Sequence, residues 1–146
     1  MGTLATEFFR NRVTGRPSSI STVCRVLAGI VFLMTGYLKL SDLRATQQGL
    51  VAAGFPDTIV ISLLLGLLEF VGALMLLAGL GTRLAALGLG IVMIGANIAN
   101  ALMFPAMLPL TLVLLVFMIY LLWAGPGAFA VDNRLSQRLG TRAYGG

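Results

Sequence analysis

Four apolar runs, each close to twenty residues long, constrain this chain more than any other feature: about Ile20–Leu40, Ile59–Leu80, Leu84–Phe104 and Leu108–Ala124. A helix rises ~1.5 Å per residue, so about 20 residues cross a hydrocarbon layer of ~30 Å. Inside lipid no water satisfies the backbone amides, so each run must close its hydrogen bonds internally as a helix. Composition agrees: 58% of residues are hydrophobic and 10% charged, against roughly a quarter charged in soluble domains. The expected fold class is therefore all-α, an integral membrane four-helix bundle. The connections at Gly81-Thr82-Arg83 and between Pro105 and Pro109 are too short for anything but antiparallel hairpins, and Gly125-Pro126-Gly127 stops the last run. Only the loop from Ser41 to Thr58 has room for structure of its own. The chain thus divides into a basic N-terminal segment (1–19), the membrane domain (20–124) and a basic C-terminal tail (125–146).

Charge predicts the orientation. With four spans, both termini and the Gly81–Arg83 turn share one side, which carries Arg10, Arg12, Arg16, Arg83, Arg134, Arg138 and Arg142, against Lys39 and Arg44 on the other. The positive-inside rule places both termini in the cytoplasm of a multi-pass protein of the cell's inner (plasma) membrane. Arg25, near the start of the first run, is expected to snorkel to that face. Leu4, Phe8, Phe9 and Val13, interleaved with Arg10, Arg12 and Arg16, read equally as a short amphipathic helix on anionic headgroups or as a disordered basic tail. The first run is too long for a secretory signal and lacks an Ala-x-Ala cleavage pattern, so it is expected in the mature protein. The net charge of +5 sits at the ends of apolar runs, with no basic stripe interleaved with aromatics, so no nucleic-acid partner is expected.

The chain has no His and one Cys, Cys24. It therefore supplies no metal site, no haem ligand pair, no iron–sulfur cluster and no dithiol. Ser-His-Asp and Cys-His machinery are excluded with them. The scattered Met residues do not form the clustered thioethers of a copper path. Helix association in lipid relies on close packing through small residues. Gly29 and Gly36, Gly72 and Gly79, and Gly88 and Gly95 each recur at seven residues, which reads as packing seams.

Polar groups inside the runs are the candidate functional residues. Glu69 stands near the middle of the second run, where an ionised carboxylate is costly. Either it is neutral or it meets a cation or donor inside the bundle; the available cations are Lys39, Arg25 and Arg83, none at the same nominal depth, though long side chains reach about 6 Å. Its role is open between a structural carboxyl and a proton-exchanging, quinone-contacting acid. Asn97 and Asn100 share a face of the third helix and read either as glue between helices or as ligand contacts. Lys39 reads as an interfacial anchor, and Tyr120 with Trp123 as part of an aromatic belt.

In order along the chain, Arg25-Val26-Leu27-Ala28-Gly29, Gly36-Tyr37-Leu38-Lys39-Leu40, Gly54-Phe55-Pro56, Leu68-Glu69 with Gly72, Leu80-Gly81-Thr82-Arg83, and Gly125-Pro126-Gly127 leading to Val131-Asp132 resemble the DoxX family of small four-helix membrane proteins. Each piece is short; the ordered set carries the resemblance over residues 23–135 or so. The resemblance implies association with sulfur and thiol oxidation, with quinone-linked membrane complexes or with oxidative-stress defence, and in distant relatives with chaperone or cargo-receptor roles. A common family pattern has a His at the end of the third helix and an acidic residue at the start of the fourth. Here those regions read Asn97-Ile98-Ala99-Asn100 and Pro109-Leu110-Thr111-Leu112, without an ionisable group, which speaks against direct catalysis.

Two functions follow as expectations. The first is a subunit of a redox complex, not catalytic on its own, that binds quinone non-covalently at a pocket of Lys39, Glu69, Asn97 and Asn100, with the Ser41–Thr58 loop as lid and Glu69 exchanging the proton. The second is a non-enzymatic assembly, chaperone or structural subunit whose apolar faces bind other membrane proteins. Both have the lipid bilayer and other protein subunits as partners. A solute transporter ranks behind them for want of a broken-helix site.

Overall fold

The computed structural model describes residues 16–125 and 127. The expected N-terminal amphipathic segment and most of the basic C-terminal tail lie outside the described residues. Within them, the helices are α1 (Arg16–Ser41), α2 (Leu43–Ala52), α3 (Ile59–Ala78), α4 (Thr82–Met103) and α5 (Leu108–Ala124), with a 3₁₀ turn at Pro105–Met107 before α5. Four of them are long and apolar enough to cross a membrane, over Ser19–Ser41, Ile59–Ala78, Thr82–Met103 and Pro105–Ala124.

The ends of the helices follow from local chemistry. α3 stops two residues before the expected Leu80 because Gly79 adopts a left-handed backbone (φ 69°). Its N–H donates to Leu76 O at 3.1 Å and that of Leu80 to Met75 O at 3.0 Å, which satisfies carbonyls left free at the helix end. Gly81 is also left-handed (φ 56°) and caps α4. The turn is thus Gly79-Leu80-Gly81, and Thr82 and Arg83, expected in the connection, begin α4. The Ser41–Thr58 loop does hold its own element: Asp42 Oδ1 accepts from Ala45 N at 2.9 Å and starts α2. Thr46 Oγ1 then donates to Lys39 O at 3.2 Å, fastening α2 to the end of α1.

The four long helices close into a ring in which α1 packs chiefly on α3 and α4 chiefly on α5, with thinner seams between α3 and α4 and between α1 and α5. Phe32, Ala73, Leu76, Ala86, Leu89 and Met118 fill the centre. At the far end from α2, Ser21 Oγ donates to Gly125 O at 2.5 Å and ties α1 to the end of α5. Small residues set the close approaches, as their spacing predicts, but not uniformly. A Cβ at Gly36 would lie 2.7 Å from Phe70 N, whereas Gly95 faces open space. Gly79 serves as a cap instead of a seam. Arg25, expected to snorkel, is 2% exposed: α1 begins at Arg16, which sets Arg25 about two and a half turns into the helix.

Candidate functional site

α3 presents Ser62, Gly66, Glu69, Gly72, Ala73 and Leu76 to the interior. These positions recur at three and four residues, so they form one face, and Glu69 is the only ionisable group on it. The opposing face of α1 carries Thr35, Gly36 and Lys39. With Gly36 bringing the two backbones together, Lys39 Nζ donates to Glu69 Oε1 at 2.5 Å and Thr35 Oγ1 donates to Oε2 at 3.0 Å. The carboxyl is fully buried while the lysine side chain is 30% exposed. Both carboxylate oxygens therefore have donors, which is the condition under which a charge is tolerated away from water.

The depth of Lys39 makes this pair possible. A Cβ on Gly66 would lie 3.4 Å from Lys39 Cβ, which sets the lysine beside a point seven residues into α3, about 10 Å along its axis. Its ammonium turns one further turn along α3 to Glu69 instead of reaching for an interface.

Asn97 and Asn100 are engaged elsewhere. Asn97 Nδ2 donates to Met93 O at 2.7 Å and to Thr111 O at 3.1 Å. Thr111 Oγ1 donates to Asn97 Oδ1 at 2.9 Å, and Asn100 Nδ2 approaches the same hydroxyl at 3.3 Å. This second cluster joins α4 to α5. The structure thus brings Lys39 together with Glu69, and Asn97 together with Asn100, as two groups on two helix pairs. Thr35 and Thr111 complete them and were not singled out by sequence. Thr35 lies one helical turn before Lys39, and Thr111 is the lone aliphatic hydroxyl in the apolar run of α5; those were the available signals. Ser62 is buried on the same face of α3 as Glu69, and its hydroxyl has no hydrogen-bond partner among the described residues.

Two clefts open at the α2 end of the bundle, and neither is lined by Glu69. One, about 650 Å³, lies along α2 and is bordered by Arg44, Gln47, Gln48 and Asp57. The other, about 440 Å³, runs from Ala52–Phe55 to Gly95, Ala99 and Leu102 on α4. Among the described residues no three His, Cys, Asp or Glu side chains come together as a metal site.

Membrane-length helices, joined by polar clasps into two pairs that pack together, define a small multi-pass membrane protein. The DoxX family model matches residues 20–102, and the chain belongs to the DoxX family. It is similar to "Uncharacterized membrane protein Rv3486" of Mycobacterium tuberculosis (strain ATCC 25618 / H37Rv), 34% identical over 137 residues, covering 81% of this chain and 83% of the relative. It is likewise 34% identical over 125 residues to "Inner membrane protein YqjF" of Escherichia coli (strain K12), covering 80% of this chain and 92% of the relative. No solved structure matches the chain significantly.

Proposed function

We propose that this DoxX-family protein is a non-enzymatic assembly or structural subunit of a larger complex in the cell's inner membrane, with both termini in the cytoplasm. The observation that carries the reading is that Glu69, Asn97 and Asn100, the candidate polar groups of the spans, are engaged by neighbouring helices. Glu69 has a donor on each oxygen, and Asn97 is bonded to a hydroxyl and two carbonyls across α4 and α5. Such bonds hold helices together in lipid at ~0.6–2 kcal/mol each, and they leave the long apolar faces of α4 and α5, such as Ile91, Ile98, Val116 and Ile119, as the surfaces turned to neighbours. The inner-membrane assignment draws on the name of the Escherichia coli relative, and the orientation on the bias of Arg and Lys between the two sides.

A second reading, a quinone-linked redox subunit, has one observation in its favour: the 30% exposure of the Lys39 side chain beside a buried carboxyl. An ammonium reachable from outside the bundle can hand a proton to or from Glu69, the group that a bound quinone would need. One purification separates the two. Under the assembly reading, the protein extracted in mild detergent migrates within a larger complex, holds no stoichiometric quinone, and keeps its complex as Glu69→Gln. A monomer carrying one quinone per chain, lost on Glu69→Gln, refutes it in favour of the redox subunit.

A further inference from the structure

The polar cleft along α2 belongs to neither reading. α2 joins the ends of two membrane-length helices, α1 and α3, so it lies where hydrocarbon gives way to headgroups. Its inward positions Leu43, Thr46, Gln47 and Leu50 are half-buried, while Arg44 and Gln48 are exposed beside the cleft. Arg44 has no hydrogen-bond or ion-pair partner among the described residues. Across the cleft, Gln47 Nε2 donates to Asp57 Oδ1 at 2.5 Å, which fixes the carboxylate and leaves Oδ2 open. A cation and an anion thus face one space of about 650 Å³, within the ~300–1,000 Å³ typical of small-molecule sites.

The floor of that space is apolar. Val51, Ala52 and Ile59 line it, and Val51 and Ile59 are exposed large hydrophobics. Ala52 is also the wall shared with the second cleft, which continues past Phe55 to Gly95 and Ala99 on α4. Gly95 has nothing within 4 Å of where a Cβ would stand, so the groove is open at that point of the helix. A charged slot at headgroup level therefore meets an apolar groove that descends along the span.

We infer that this is a binding site for one aminophospholipid, its phosphate on Arg44, its primary ammonium on Asp57 Oδ2, and an acyl chain in the groove beside Gly95. The charges select among amphiphiles. A phosphate suits the planar guanidinium fork. An ethanolamine ammonium has N–H groups to donate to Oδ2, which a choline headgroup lacks. A headgroup with a negative charge and no amine would set nothing opposite Asp57. A quinone ring offers no charge to either residue.

The test uses the full-length protein in detergent, titrated with dioleoyl phosphatidylethanolamine, phosphatidylcholine or phosphatidylglycerol and read by native mass spectrometry of the lipid-bound fraction. Phosphatidylethanolamine should bind about three- to fivefold tighter than phosphatidylcholine, the upper part of the range of exposed charge pairs. Asp57→Asn should abolish that preference without weakening phosphatidylcholine. Arg44→Gln should weaken both, and Arg44→Lys should restore most of the loss. Both side chains are exposed, so the variants keep the fold, and helical circular dichroism checks that they do. Equal binding of the ethanolamine and choline lipids, tightest binding of phosphatidylglycerol, or an unchanged Arg44→Gln variant each overturns the inference. None of these results bears on whether the protein assembles or binds quinone.

Discussion

Replacing Gly36 by Ala tests whether the α1–α3 contact is held by backbone proximity. The added methyl would stand 2.7 Å from Phe70 N, 3.0 Å from Phe70 Cα and 3.2 Å from Glu69 C, all main-chain atoms of the facing helix. Ordinary carbon contact begins near 3.4 Å, so the helices must part by roughly 0.7 Å, and no side-chain rotation relieves the clash. Overpacking of this kind costs about 1–3 kcal/mol, equivalent to roughly 3–12 °C in melting temperature. The same movement stretches the bonds to Glu69 from Thr35, the residue before Gly36, and from Lys39, about one turn after it. Gly95→Ala is the control, since nothing stands within 4 Å there; Ala in mid-helix should leave stability unchanged or raise it by about 0.5–1 kcal/mol. Melting curves of both variants beside the wild type, in one detergent, decide the matter. A Gly36→Ala protein as stable as the wild type would refute close backbone approach as the basis of this pair.

Lys39→Met leaves the fully buried Glu69 without its cation and should lower stability by up to about 3–5 kcal/mol, whereas Glu69→Gln, which keeps the donor from Thr35 and leaves a lysine with access to solvent, should cost less than half of that in the same melting assay. Equal losses would mean that the ammonium is not compensating a buried carboxyl. Thr111→Val removes the hydroxyl shared by Asn97 and Asn100 and should cost about 0.6–2 kcal/mol, while Thr35→Val should leave the α4–α5 pair untouched, as judged by adding the two losses in the double variant. A reporter active only outside the cytoplasm, fused after Tyr144, should stay silent, and activity there would reverse the proposed orientation.

The spans were legible because their length is dictated by the thickness of the bilayer, and the last stop because Gly125 and Pro126 cannot continue a helix. The turn between α3 and α4 was misplaced by two residues for want of a local signal to tell which of Gly79 and Gly81 caps α3; both take the left-handed backbone. Glu69 stood out by its solvent alone. Its pairing with Lys39 was harder to see, since counting residues from the ends of two helices assumes that both start at the same plane, and α3 instead extends past Lys39 by about two turns. Asn97 and Asn100 were readable as polar anomalies on one face. That their partner is Thr111 depends on how α5 is rotated against α4, and α5, apolar on all sides, carries no periodicity to reveal it. α2 was too short, and too mixed in composition, to stand out as a helix within its loop.

The clasp between Lys39 and Glu69 joins residues 30 positions apart, and this imposes an order on the making of the protein. Lys39 leaves the ribosome first. At about 5–20 residues per second, its carboxylate follows roughly 1.5–6 s later, after α2 and half of α3 have been synthesised. Over that interval the ammonium of Lys39 is without its clasp partner, and Asp42 and Asp57 are the acids that follow it out of the ribosome before Glu69. Asn97 and Thr111 are separated by only 14 positions, and their helices can enter as a ready hairpin. The α1–α3 clasp thus closes only across an intervening element, α2, whereas the α4–α5 clasp closes within one hairpin.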